Sequence, residues 1–162
     1  MEFRRAYGPF EAMMLGVDLE EAGRVFYDRM AKSCADYKVK NLFKKLAQAE
    51  IKHKKVIREE IEPLYAPNWY REEDHQMMAE YLDSVQHQQI FPDPEDQVAC
   101  DLAASDPVAA LEIGIKAEKQ TIEYYTFLRD ATQDDKGKDV FERLRKEEVG
   151  HLEMLEGIKG YL

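Results

Sequence analysis

The chain has 162 residues, 44% of them hydrophobic and 35% charged, with only eight Gly and six Pro. That length suits one domain spanning residues 1–162 with a substantial core, and the composition favours a helix-rich protein with strongly polar outer faces. Thirty-three acidic against twenty-three basic side chains give a formal charge of −10, which repels a phosphate backbone and an anionic bilayer and so argues against nucleic acid or membrane as a partner.

Residues Met1 to Phe10 lack the unbroken apolar region of a signal peptide. No stretch approaches the ~20 apolar residues of a membrane span, so the expected compartment is the cytoplasm. Gly8-Pro9 is a suitable helix start. From there to about Cys34, Met13, Gly16, Val17, Glu20, Gly23, Tyr27, Met30 and Ala31 recur at threes and fours and form one inward stripe. Glu20 is a carboxylate in the middle of that stripe. Asp36 is a fitting N-cap for a second helix, with Val39, Leu42, Phe43, Leu46, Ala49, Glu50, His53, Val56 and Ile57 inward and most of its lysines outward. Its end is expected near Glu62-Pro63, because a residue before proline is pushed out of the α region. The short turn between the two helices makes them an antiparallel hairpin, about residues 8–62.

From about 63 to 106 the pattern weakens, with Pro63, Pro67, Pro92 and Pro94 and the scattered anchors Trp69, Tyr70, Tyr81, Leu82, Val85, Ile90 and Phe91. Over forty structureless residues would be out of place inside a compact domain, so a crossover with short helices near 71–88 and 94–104 is expected. Ser105-Asp106-Pro107 then caps and starts a third helix running to about Thr132, with Leu111, Gly114, Ile115, Glu118, Ile122 and Tyr125 inward. Asp134 or Asp135 caps a fourth, with Val140, Phe141, Leu144, Glu148, His151, Leu152 and Leu155 inward and Gly157 and Gly160 at its end. This second hairpin covers about 107–159. Two hairpins joined by a long crossing make an all-α, ferritin-like four-helix bundle.

The two hairpins are copies. An offset of 98 residues superposes Gly16 on Gly114, Glu20 on Glu118, Tyr27 on Tyr125, Asp36 on Asp134, Phe43 on Phe141, Leu46 on Leu144, Glu50 on Glu148 and His53 on His151, without insertion or deletion. Glu50-x-x-His53 and Glu148-x-x-His151 each put a carboxylate and an imidazole on one helix face. The spacing alone is weak, since Glu72-x-x-His75 shows it too. That copy lies in the crossover with no counterpart or inward apolar stripe, and neither it nor His87 is read as a metal site. The two copies in register, each with an upstream inward Glu, are specific.

A carboxylate buried without a partner costs several kcal/mol or takes up a proton. Four on one inner surface are reasonable only around cations, and two divalent ions balance them. Glu50 and Glu148 are expected to bridge two metals, Glu20 with His53 completing one and Glu118 with His151 the other. Carboxylates with one imidazole per ion suit iron or manganese, with zinc a further option. Tyr27 and Tyr125, seven residues beyond their glutamates, lie on the same faces. They are expected to hydrogen-bond a ligand carboxylate or to lie near the metals, or else simply to pack in the core. Cys34 and Cys100 occur without Cys-x-x-Cys, which excludes a four-thiolate site among these residues and leaves two buried thiols as the expectation.

In Leu19-Glu20-Glu-Ala-Gly-Arg-Val-Phe-Tyr27, Ala49-Glu50-Ile-Lys-His53, Ala117-Glu118-Lys-Gln-Thr-Ile-Glu-Tyr-Tyr125 and Glu147-Glu148-Val-Gly-His151 the chain resembles the rubrerythrin-like branch of the ferritin-like diiron-carboxylate proteins. The resemblance implies two iron ions per chain, reduction of hydrogen peroxide or other O₂ chemistry, and a homodimer. It has two departures. The four-cysteine, rubredoxin-like domain that feeds electrons to full rubrerythrins does not occur within these residues, so a separate electron-donor protein is expected. The additional Glu those proteins carry one turn after the residue matching Glu118 is replaced by Thr121. The rival expectations are a ferroxidase or iron-binding protein and a metal-stabilised helical interaction module.

Overall fold

The computed structural model describes residues 9–61, 63, 75–87 and 89–162, without the side chains of 9–13, 75, 78, 79, 86 and 87. Gly8, Trp69, Tyr70, Glu72 and the side chains of His75 and His87 lie outside what is described. Helix α1 spans Pro9–Ser33 and α2 Tyr37–Val56, α2 continuing as a π-helical turn over Ile57–Ile61. Short helices α3 (His75–His87) and α4 (Gln97–Ser105) occupy the crossover, followed by α5 (Pro107–Ala131) and α6 (Asp135–Lys159). Helices α1 and α2 pack along their lengths as one hairpin and α5 and α6 as the other, with α2 against α6 and α1 against α5 between them.

Aspartates start the helices where expected. Asp36 Oδ1 accepts from Val39 N at 3.0 Å, Asp134 Oδ1 from Gly137 N at 2.8 Å, and Asp106 Oδ1 from Val108 N and Ala109 N. Each satisfies amide groups that the first turn leaves without a partner. Two ends differ from expectation. Helix α2 does not run as an α-helix to Glu62 but widens after Val56, burying both Ile57 and Ile61. Pro63 has no N–H for the Glu59 carbonyl, so the last turn lacks an α-type bond to hold it tight. Helix α6 runs through Gly157, and Gly160 closes it in the right-handed region, φ −62°, rather than as a left-handed cap.

Apart from Met13, whose side chain is outside the described ones, the inward stripes are buried as the periodicity requires, with Phe26, Ala47, Ala117 and Tyr124 added to the core and Ala49, Val56, Ile115, Ile122 and Leu152 only half-buried. Corresponding aromatics mark the two halves. Tyr27 stacks on Phe43 at 5.8 Å between centroids, and Tyr125 on Phe141 at 6.4 Å. The crossover joins the first half, Phe91 meeting Tyr27 edge-on at 5.7 Å while Arg29 donates to the Pro94 carbonyl and to Gln97 Oε1. Cys34 and Cys100 are buried free thiols. Among the described residues no helix is long and apolar enough to cross a membrane.

Asp36→Ala and Asp134→Ala should each cost about 1 kcal/mol, lowering Tm by roughly 2–4 °C. Calorimetry of the double variant should return the sum, since the two caps share no partner.

Candidate metal centre

Helices α1, α2, α5 and α6 each turn carboxylates into the same dry interior. Glu20, Glu50, His53, Glu118, Glu148 and His151 are all buried. They form two overlapping groups, Glu20, Glu50, His53 and Glu148 in one, and Glu50, Glu118, Glu148 and His151 in the other. Within each group the donor atoms lie within 4.8 Å of one another, a spacing that could hold a metal ion. All six residues singled out in the sequence therefore converge. Glu50 and Glu148 are common to both groups, while each His stands with the upstream Glu of its own hairpin.

Both imidazoles aim Nδ1 at the carboxylates. His53 Nδ1 is 2.8 Å from Glu148 Oε1 and 3.3 Å from Glu20 Oε2. His151 Nδ1 is 2.9 Å from Glu148 Oε2 and 3.8 Å from Glu118 Oε1. The rings lie nearly parallel, 17° between planes and 5.4 Å between centroids. Glu148 Oε1, although close to His53, is out of line for a hydrogen bond and is a buried acceptor without one. An acceptor in that position fits a cation.

The tyrosines reach across the bundle rather than along their own helices. Tyr27 donates to Glu118 Oε1 at 2.8 Å, and Tyr125 donates to Glu20 Oε1. The seven-residue spacing suggests a partner on the same face of the same helix, but the pseudo-twofold arrangement brings the other hairpin's glutamate nearer. Burial, reinforced by the surrounding carboxylates, raises both phenols well above their ordinary pKa, so they remain donors.

The two halves differ electrostatically. Burial and the facing carboxylates push Glu50 and Glu118 far above the ordinary carboxylate range, and burial with Glu20 pushes Glu148 up as well. For Glu20 burial acts upward too, but hydrogen bonds with Glu50 and His53 outweigh it and the net shift is downward. Burial acts to lower His53, yet the neighbouring carboxylates of Glu147, Glu148 and Glu20 raise it overall, whereas His151 is lowered by burial. The surroundings thus favour charge on Glu20 and His53 and disfavour it on Glu118 and His151.

Two residues of the site escape a reading of the pattern. Glu147 is half-exposed, its side chain 51% accessible, and its Oε2 lies 2.7 Å from His53 Nε2. Its place beside Glu148, about 100° around the helix, reads as a solvated position. Gly23 leaves room for Glu50, since a Cβ there would meet the Glu50 carboxyl at 3.3 Å and Phe91 at 3.2 Å. Its repeat partner Thr121 is buried and donates to the Ala117 carbonyl at 2.9 Å, so its hydroxyl is occupied by the backbone.

A bundle of two helical hairpins around a buried glutamate–histidine cluster defines an all-α protein with a candidate carboxylate metal centre. The chain belongs to the rubrerythrin family, whose model, described as Rubrerythrin, matches residues 11–159. That places it among ferritin-like proteins and implies a di-iron centre, for which the groups that could bind metal are the two described above. Neither the curated proteins nor the solved structures include a significant match.

A carboxyl whose pKa is raised in the folded state costs stability as pH climbs above its unfolded value near 4.5. Glu50→Gln should therefore raise Tm of the metal-free protein at pH 8 by roughly 3–8 °C. The gain should vanish by pH 4, where the group is neutral in both states. A gain independent of pH would show that charge burial is not its cause.

Proposed function

We propose that the chain is a non-haem di-iron oxidoreductase that reduces hydrogen peroxide or O₂, with electrons from a separate donor protein. Glu50 and Glu148 would be shared by the two ions, Glu20 and His53 would complete one set of ligands, and Glu118 and His151 the other. The observation that carries this reading is the pair of overlapping four-residue groups sharing Glu50 and Glu148. The donors fit the group. Four carboxylates balance two divalent charges, oxygen and imidazole donors suit iron or manganese, and the orphaned Glu148 oxygen is supplied with a partner. When bound, the irons supply the two electrons that reduce the O–O bond.

The chain's own residues hold and shield that chemistry. Tyr27 and Tyr125 orient the terminal carboxylates Glu118 and Glu20 from opposite hairpins, which keeps each from swinging into the other's site. Phe91, Phe43 and Phe141 pack around those phenols and keep bulk water from the carboxylates. Because Glu50, Glu118 and Glu148 are raised toward their neutral forms, loading must displace protons from them. Conversely, stability gained from metal should grow as pH rises from 5 to 8.

Purified protein loaded anaerobically with Fe(II) should hold about two ions per chain. Glu50→Ala or Glu148→Ala should remove both ions, and Glu20→Ala about one. Unchanged iron content in both bridging variants would refute the ligand assignment. Stopped-flow oxidation of the loaded protein should be faster with peroxide than with O₂. The reverse order, with release or accumulation of Fe(III), would instead identify a ferroxidase.

A further inference from the structure

Where the two halves of the sequence repeat differ beside the site, one difference places a carboxylate against a histidine. Residue 147 is Glu, and its counterpart 98 residues earlier is Ala49. Glu147 Oε2 lies 2.7 Å from His53 Nε2, while Nδ1 of the same ring faces Glu20 and Glu148. The corresponding residue of the other hairpin, Ala49, ends in a methyl group, which accepts no hydrogen bond.

We infer that Glu147 is a positioning residue for one metal site only: it fixes the His53 tautomer with the proton on Nε2, leaving the Nδ1 lone pair for the ion. This deepens the proposed function and rests on its ligand assignment. A neutral imidazole carries one proton, and only the nitrogen without it can ligate. A carboxylate accepting from the outer nitrogen selects the tautomer, orients the ring and increases its donor strength. Glu147 is half-exposed, so it does this from the rim of the bundle without adding another charge to the interior. His151 has no such carboxylate from residue 49. The Glu20–His53 site is therefore the tighter of the two and fills first, although both present one His, one terminal Glu and the same two bridging carboxylates.

Stepwise Co(II) titration against a competing chelator tests this, together with NMR of the exchangeable, metal-shifted imidazole N–H protons. Wild-type protein should show two distinct affinities, and the His53 N–H should exchange with solvent more slowly than that of His151. Glu147→Ala should weaken the tighter step by about 10–100-fold, leave the weaker step unchanged and accelerate His53 N–H exchange. Glu147→Gln keeps an acceptor and should preserve slow exchange with a smaller loss of affinity. Ala49→Glu, an independent variant on the other hairpin, should strengthen the weaker step and slow the His151 N–H.

Unchanged steps in Glu147→Ala, or equal loss from both, would overturn the inference, as would an Ala49→Glu variant with unaltered binding and exchange. If Glu50→Ala abolishes Co(II) binding while Glu147→Ala has no effect, the inference fails and the di-metal reading stands. If wild-type protein takes up no metal, both fail.

Discussion

Four carboxylates inside an apolar bundle are the constraint on which the rest of the structure depends. Glu20, Glu50, Glu118 and Glu148 sit on the inner faces of four helices, with almost no access to water. Ionised together they would repel one another in a medium that screens poorly. The folded chain responds by pushing three of them toward the neutral form and setting the fourth beside His53, whose imidazole the neighbouring carboxylates shift upward. An interior designed only for stability would put leucine at these positions. Their presence is a functional expenditure, and membership of the rubrerythrin family gives it a purpose.

The surrounding architecture holds that cluster at fixed spacing. The apolar stripes of both hairpins share one core, and the phenols of Tyr27 and Tyr125 tie the carboxylates of one hairpin to the aromatic layer of the other. The cluster therefore exists only when both hairpins are docked. The crossover adds a further element of closure. Arg29 fastens its Pro94–Gln97 segment to α1, and Phe91 inserts beside Tyr27 and against the space above Gly23. A larger residue at position 23 would press on both Phe91 and Glu50.

A duplicated hairpin produces two metal-type sites from one design, and small departures from the duplication make them unequal. Gly23 faces Thr121, Phe26 faces Tyr124 and Ala49 faces Glu147 across the repeat. The last of these sets the Glu147 carboxylate against the outer nitrogen of His53, where the other hairpin offers only the Ala49 methyl group in the corresponding place in sequence. The two groups that could hold a metal ion are therefore alike in composition but not in surroundings.

Much of this was legible in the chain because helical periodicity is local. A residue's face follows from its number along the helix, so the i, i+3 pairs Glu50–His53 and Glu148–His151, the inward Glu20 and Glu118 and the capping Asp36 and Asp134 could all be read in advance. The repeat supplied the long-range pairing of the two hairpins by symmetry alone. The π-turn at Ile57–Ile61 was not legible: Pro63 marks where the α-helix must end, but not that the preceding turn widens and buries both Ile57 and Ile61. Nor was the role of Glu147, whose position on the wheel points to solvent until His53 of another helix comes beside it. Which tyrosine holds which glutamate was likewise settled only by docking. Sequence order sets which face of a helix a side chain occupies, but distances between helices depend on packing. The cluster's six members were therefore visible in the chain, while the crossed Tyr27–Glu118 and Tyr125–Glu20 bonds and the unequal surroundings of the two histidines arose only when the hairpins met.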